Sequence, residues 1–290
     1  MAEAKYFRNP VKWARKQSGV GPAVGALFAR LLLRNVETRH LLLPTVRRIQ
    51  VADLREILVK GLDDFEACQS DVILLCLVFP LLGIALAWLT YGLNILPLLF
   101  PLASGFALVG PVLAVSLYEM SRRREQGAPV DLMDAFGVVR SPGFGAILVL
   151  GLAVRALFLL WLLAAHEIYR LILGPEPPSS GAAFIRDVFT TNAGWLMIAV
   201  GFCVGFFFAV LVLTISVVSF PLLLDRDVGL YRAVVTSARA VAMNPGTMAL
   251  WGLIVASSLA IGSIPGFIGL LVVMPMLGHA TWHLYRKVVE

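Results

Sequence analysis

Cysteine is scarce in this chain, and the three that occur, Cys68, Cys76 and Cys203, form no CxxC pair. An odd number without that spacing excludes a disulfide framework and a zinc ribbon. Cys76 and Cys203 sit inside apolar runs and read as small buried hydrophobes. Charge is equally sparse: Asp, Glu, Lys and Arg make up 14% of 290 residues against a hydrophobic share of 59%, and the mean hydropathy is +0.85. So little charge excludes a soluble globular domain. The apolar stretch after Lys5, Arg8, Lys12, Arg15 and Lys16 is short and broken by Arg30 and Arg34, so no cleavable signal peptide is expected. A net charge of +6 comes without any nucleic-acid recognition module, and basic residues beside apolar runs read instead as topogenic signals.

Long apolar runs, one after another, are what the chain does have. Val72 to Leu89, Ile95 to Tyr118, Phe144 to Leu173, Trp195 to Leu224, Thr247 to Ile264 and Phe267 to Leu284 are each long enough to be read as a membrane crossing. The expected fold class is all-α: a polytopic membrane protein of six transmembrane helices in three hairpins, each preceded by a cytoplasmic interfacial amphipathic helix. Those helices are expected over Asp53 to Ala67, Val130 to Val139 and 230 to 243. In the first, Leu54, Leu58, Leu62 and Phe65 recur at helical spacing, with Glu56 and Lys60 placed to pair on the polar side. In the third, Arg232, Thr236 and Arg239 oppose Leu230, Val234, Ala238 and Val241, as in a helix lying flat in the headgroup layer. Ala182 to Thr191 is expected as a further surface helix.

Ser70-Asp71, Ser141-Pro142 and Asn244-Pro245 each restart an apolar run and are expected to cap it. Pro111 stands seven residues before Tyr118 and eleven before Arg122; Pro275 stands in the same relation to Trp282 and Arg286. The domain reading is a basic cytoplasmic or interfacial arm over 1–45 and a membrane domain over 46–290, with hairpin units at about 50–121, 128–224 and 228–287. Of the 24 Lys and Arg residues, this arrangement places all but Arg155, Arg170 and Arg186 on the side of the N-terminus. Both termini are therefore expected in the cytoplasm. The basic residues of the arm either hold anionic lipid headgroups or only enforce this orientation.

The runs VRRIQVADLREILVKGLDDFEACQSD, FPLASGFALVGP, YEMSRRREQG, SFPLLLDRDVG, NPGTMALWGLI and LGHATWHLYR resemble the bacterial integral membrane family known as domain of unknown function 2189, over about residues 46 to 288. The resemblance implies a six-helix protein of the bacterial inner membrane and carries no activity, cofactor or substrate with it.

Few residues are candidates for chemistry, and none forms a catalytic motif. His279 and His283 lie one helical turn apart, a workable spacing for metal ligands, but no HExxH glutamate stands between them. They are weak candidates for metal or haem, or else polar packing. Glu119, Asp225, Arg226 and Asp227 end the second and fourth crossings, where they either form helix-end salt bridges or, converging with His283, make a polar ring that gates or binds a solute. Arg155 is the one charge deep in a crossing, and the cost of such a charge predicts that it faces the bundle interior as a functional site, unless it snorkels outward. The leading expectation is a non-catalytic scaffold or envelope assembly factor, with no cofactor. Its expected partners are the lipid bilayer, anionic lipids, and a membrane-protein partner or a second copy. A carrier of small solutes or lipids, with its site between the hairpins, is the alternative.

Overall fold

A computed structural model describes residues 43–92, 96–176 and 178–290 of the chain; the basic arm, up to residue 42, lies outside the described residues. The rest is helical: α1 (Val51–Ala67), α2 (Gln69–Cys76), α3 (Val78–Gly92), α4 (Leu99–Leu113), α5 (Val115–Glu125), α6 (Phe144–Ile172), α7 (Gly181–Thr190), α8 (Asn192–Ser216), α9 (Ser219–Asp225), α10 (Leu230–Met243), α11 (Pro245–Ser263) and α12 (Leu270–Val288). Short 3-10 segments cover Leu96–Leu98 and Leu132–Arg140.

Proline explains two of the breaks. A proline lacks the N–H that would bond the carbonyl four residues back. Pro80 removes the bond to Cys76, where α2 ends, and Pro221 removes the bond to Val217, between α8 and α9. The Val218 N–H exposed at the second break is accepted by Ser237 Oγ of α10 at 3.2 Å. Elsewhere the ends follow ordinary capping. Ser180 and Thr191 accept from Ala183 N and Gly194 N at the starts of α7 and α8, and Pro245 opens α11, where a missing N–H costs nothing.

Five stretches among the described residues are long and apolar enough to cross a membrane: Asp71–Thr90, Leu99–Glu125, Phe144–Ile172, Asn192–Asp225 and Pro245–Ser263. The last helix falls outside this set because its second half carries His279, Thr281, His283, Arg286 and Lys287. It is nonetheless well enclosed, with Met274, Leu277, His279, Ala280, Trp282, Leu284, Tyr285 and Val288 all buried. Polar residues are tolerated there because neighbouring helices shield them.

Burial is concentrated at one end of the bundle. Ala114 to Ser121, Val217 to Leu224 and Leu277 to Val289 are largely buried, whereas the opposite halves of the spanning helices expose Leu81, Trp88, Phe100, Leu163, Trp195 and Phe202. Lipid tails are as apolar as leucine, so the membrane part needs no packed core, and the end that meets water does.

That end is closed by α1. The segment before α1 pairs with the C-terminus through Arg47 N to Val288 O at 2.8 Å and Glu290 N to Thr45 O at 3.0 Å. Gly61 lies against Ala280, and Gly83 lies under the ring of Phe267. These contacts descend along α12 as the chain ascends, so α1 to α3 run antiparallel to it. At Gly61 an added Cβ would stand 2.7 Å from the Ala280 backbone nitrogen. Only a residue without a side chain lets the two backbones meet.

Several expectations need correction. α1 packs lengthwise on α12 through Leu54, Ile57, Gly61, Asp64 and Phe65, so Leu62 of the expected stripe is exposed. The expected helix over Val130 to Val139 is a 3-10 segment over Leu132–Arg140, held by reciprocal bonds between Asp131 and Asp134. In α10 the inward face is the small one, Ala233, Thr236, Ser237 and Ala240, because only small side chains let α10 approach α8 and α9. The residues expected to cap do other work. Gly143, not Ser141, precedes α6, and its Cα approaches Leu223 O so closely that a Cβ would stand 2.0 Å away. The buried amide of Asn244 accepts from Ile49 N at 2.8 Å and donates to Arg47 O at 3.0 Å, tying the start of the domain to the α10–α11 corner. The expected last crossing from Phe267 begins at Leu270, since Phe267 takes a left-handed turn conformation.

The α1–α12 contact predicts the effect of Gly61→Val. In detergent its thermal midpoint should fall by the equivalent of roughly 1–3 kcal/mol, as for overpacked cores. Gly246→Ala, where nothing lies within 4 Å, should be neutral or slightly stabilising. Equal midpoints for Gly61→Val and the wild type would contradict the packing described.

Candidate functional site

The packed end of the bundle carries three polar groups, built on α1, α5, α9 and α12. The helical period places Leu54, Ile57, Gly61 and Asp64 on one face of α1, so a carboxylate ends an otherwise apolar stripe. Asp64 is 7% exposed and Ser121 1%, while His279 is fully buried. Asp64 Oδ2 accepts from Ser121 Oγ at 2.6 Å and meets His283 Nε2 at 2.8 Å; Oδ1 accepts from Arg124 at 2.8 Å. Ser121 Oγ also stands 2.7 Å from His279 Nδ1.

The proton positions follow from this geometry. Ser121 gives its single proton to the carboxylate, so it accepts from His279, and the His279 proton sits on Nδ1. His279 Nε2 is then a bare acceptor, buried and without a hydrogen-bond partner among the described residues. Burial raises the pKa of Asp64, but the hydrogen bonds from His283 and Ser121 outweigh it, and the carboxyl is held below its ordinary value.

Two further groups flank this one. Glu119, 2% exposed, receives Arg122 at 2.9 Å and Arg123 at 3.0 Å, and Arg123 also reaches Asp134 beside the 3-10 segment. Asp225 receives Tyr285 Oη at 2.6 Å and lies 3.6 Å from Arg286, which bonds Glu125 at 3.0 Å; the Trp282 indole donates to the same Glu125 at 3.0 Å.

The structure gathers some of the sequence candidates and scatters others. Glu119, Asp225, His279 and His283 share this layer. They do not meet in one ring, since His283 turns to Asp64 while Glu119 and Asp225 bind their own arginines. Arg226 lies 3.5 Å from Asp225 and donates to the Glu290 carbonyl, and Asp227 is exposed beyond it. Arg155 contradicts its expectation: it is exposed on the outer face of α6 beside Leu152 and Leu159, because the inward stripe of that helix is Ile147, Leu150, Val154 and Trp161. Asp64, Ser121, Arg124, Glu125 and Tyr285 were missed. Continuing the period Leu54, Ile57, Gly61 would have found Asp64.

Ser121, two histidines and Asp64 have the composition of a nucleophilic triad without its geometry. The imidazole presents N–H to Ser121 and so cannot take its proton, and the hydroxyl is spent on the carboxylate. Nor do the imidazoles converge on a metal. Among the described residues no group of three or more His, Cys, Asp or Glu side chains is placed to hold one. What the arrangement does well is join helices: Asp64 of α1 is paired with α5 and α12, Glu125 of α5 with Arg286 of α12, and Arg123 carries Glu119 of α5 to Asp134 beside the 3-10 segment.

The family model described as "Predicted integral membrane protein (DUF2189)" matches residues 99–225, from the start of α4 to the end of α9. No curated protein and no solved structure matches the chain. The matched stretch contains Glu119, Ser121 and Arg122 to Glu125, but neither α1 nor α12.

Acid should loosen this joint. The pKa of Asp64 is lower in the folded protein, so its stabilisation is present above the ordinary carboxylate range and is lost as pH falls through the folded value. In thermal unfolding between about pH 6 and 3, Asp64→Asn should start lower by roughly 1–3 kcal/mol, because a buried amide replaces the carboxylate that Ser121 and His283 bond, and should fall less steeply than the wild type. Parallel curves for the two proteins would contradict this role.

Proposed function

We propose that the protein is a non-catalytic scaffold or assembly factor of the bacterial inner membrane, with six crossings in three hairpins and both termini in the cytoplasm. The observation that carries this reading is that the buried carboxylates of the packed end are consumed by groups of the chain itself. Asp64, Glu119, Glu125 and Asp225 each bind cations or hydroxyls of the chain itself. A solute path along the bundle would need a polar lining. The centre instead holds the buried side chains of Trp251, Trp282, Phe220 and Leu270, and Arg155 lies outside it.

The reading of α12 as the sixth crossing rests on its 19 residues, near the length a span requires, and on its enclosure, which lets it carry polar groups without facing lipid. The cytoplasmic placement of the packed end rests on the arginines and lysines that crowd it, among them Arg122, Arg123, Arg124, Arg286 and Lys287. An interfacial seat for the 3-10 segment is supported by Met133, Phe136 and Val139. At three residues per turn they stand in one line, and they are 72%, 56% and 59% exposed. Tyr231 on α10 is a further exposed ring, 75% open.

Reporter fusions after Gly127 and after Gly229 should report cytoplasm, and one after Ser180 the opposite side; a cytoplasmic report at Ser180 would contradict six crossings. A photoreactive residue in place of Tyr231 should give one discrete protein adduct in intact cells. Adducts to lipid alone, together with stabilisation of the purified protein by an added solute, would replace the scaffold reading with a carrier.

A further inference from the structure

One cavity stands apart from the polar layer. About 340 Å³ in volume, it lies between α4, α8, α11 and α12, within the size range of small-molecule sites. Small residues make the space: an added Cβ on Gly110 would find only the Met274 methyl at 3.9 Å, and one on Gly252 only Leu213 at 3.5 Å. Its mouth is flanked by Phe206 and Val210 of α8 and Leu253 of α11, all exposed on helices apolar enough to cross a membrane. The cavity thus opens sideways, at a depth where the surrounding medium is hydrocarbon.

Its walls decide what can enter. Among the described residues, no charged side chain lines it. Of the hydroxyls at its inner end, Ser216 gives its proton to Val212 O at 2.6 Å and Thr281 to Leu277 O at 2.7 Å, and Tyr118 is hydrogen-bonded with Thr281. A wall without charge has nothing to balance a phosphate or a carboxylate, which argues against a lipid headgroup and for an apolar guest. Apolar cavities of about half this size stay dry and take up hydrocarbon guests.

We propose that this cavity is a binding site for one acyl chain of a bilayer phospholipid, which enters between α8 and α11 with its headgroup left outside. The chain gains packing against Trp251, Met274 and Leu277, because the transfer from lipid to protein carries no hydrophobic gain of its own. Occupancy fixes the spacing of α8 and α11, which line opposite sides of the mouth.

Trp251 lines the cavity and is otherwise 1% exposed, so its emission reports on the guest. The full chain, reconstituted in vesicles of phosphatidylcholine brominated on the acyl chains, should lose most of its Trp251 emission, taken as the difference between wild type and Trp251→Phe. Gly252→Leu, which fills the cavity, should restore it, and Ala209→Phe at the mouth should do the same should the first variant fold poorly. Native mass spectra should show one phospholipid retained by the wild type and absent from the filled variant. Undiminished Trp251 emission, in vesicles where the 77% exposed Trp88 is quenched, would overturn the proposal. Quenching that survives both filling variants would overturn it too, since bromine would then act from the outer lipid. Because Trp88 reports membrane insertion separately, neither result bears on the scaffold reading.

Discussion

Everything at the packed end depends on the approach of α1 to α12, where Gly61 lets two backbones touch and Asp64 lies one turn further on. The two features act together. Close approach excludes water, and the same exclusion makes an unpaired carboxylate costly, so Asp64 must gather Ser121, His283 and Arg124 around it. Those partners lie on α5 and α12, and pairing with them places three elements in one register. Van der Waals contact alone would hold α1 against α12 at many angles; the carboxylate selects one.

The membrane explains why such a device is needed at this end. Between helices in lipid there is little hydrophobic force, and the spanning segments accordingly leave Leu81, Leu163, Phe202 and Phe206 outward. Where the bundle leaves the hydrocarbon, packing takes over around Tyr118, Phe220, Trp282 and Tyr285. The polar groups sit at this boundary, where charges still find partners and low dielectric strengthens them. A filled end and an apolar side cavity are a coherent pair, since the first fixes helix ends and the second is left for lipid to fill.

How much could be read in advance depended on whether a residue's role was local. Apolar length and charge asymmetry are local properties, and five of the expected crossings coincide with helices long and apolar enough to span. Pairing of Glu56 with Lys60 follows from helical spacing and is present at 2.8 Å. Asn244 shows the limit: its sequence neighbourhood reads as a helix cap, but its amide serves Ile49 and Arg47, nearly two hundred residues away, and no pattern announces a partner that distant. For Arg155 the cost of a lipid-facing charge predicts an inward side chain, but the stripe Leu150, Val154, Trp161 outweighs it, and turning Arg155 inward would turn those residues out. Met133, Phe136 and Val139 were hidden by a period of three where a period of 3.6 was assumed.

The central claim, that the polar layer is a joint between helices, is tested most directly by a double-mutant cycle on Asp64 and His283. Stability of the wild type, Asp64→Ala, His283→Ala and the double variant would be measured in one detergent at one pH. The account predicts a coupling of about 0.5–3 kcal/mol, as for contacting groups in one network. Additivity of the two single effects within about 0.5 kcal/mol would show that the pair does not hold α1 to α12, and would contradict the account.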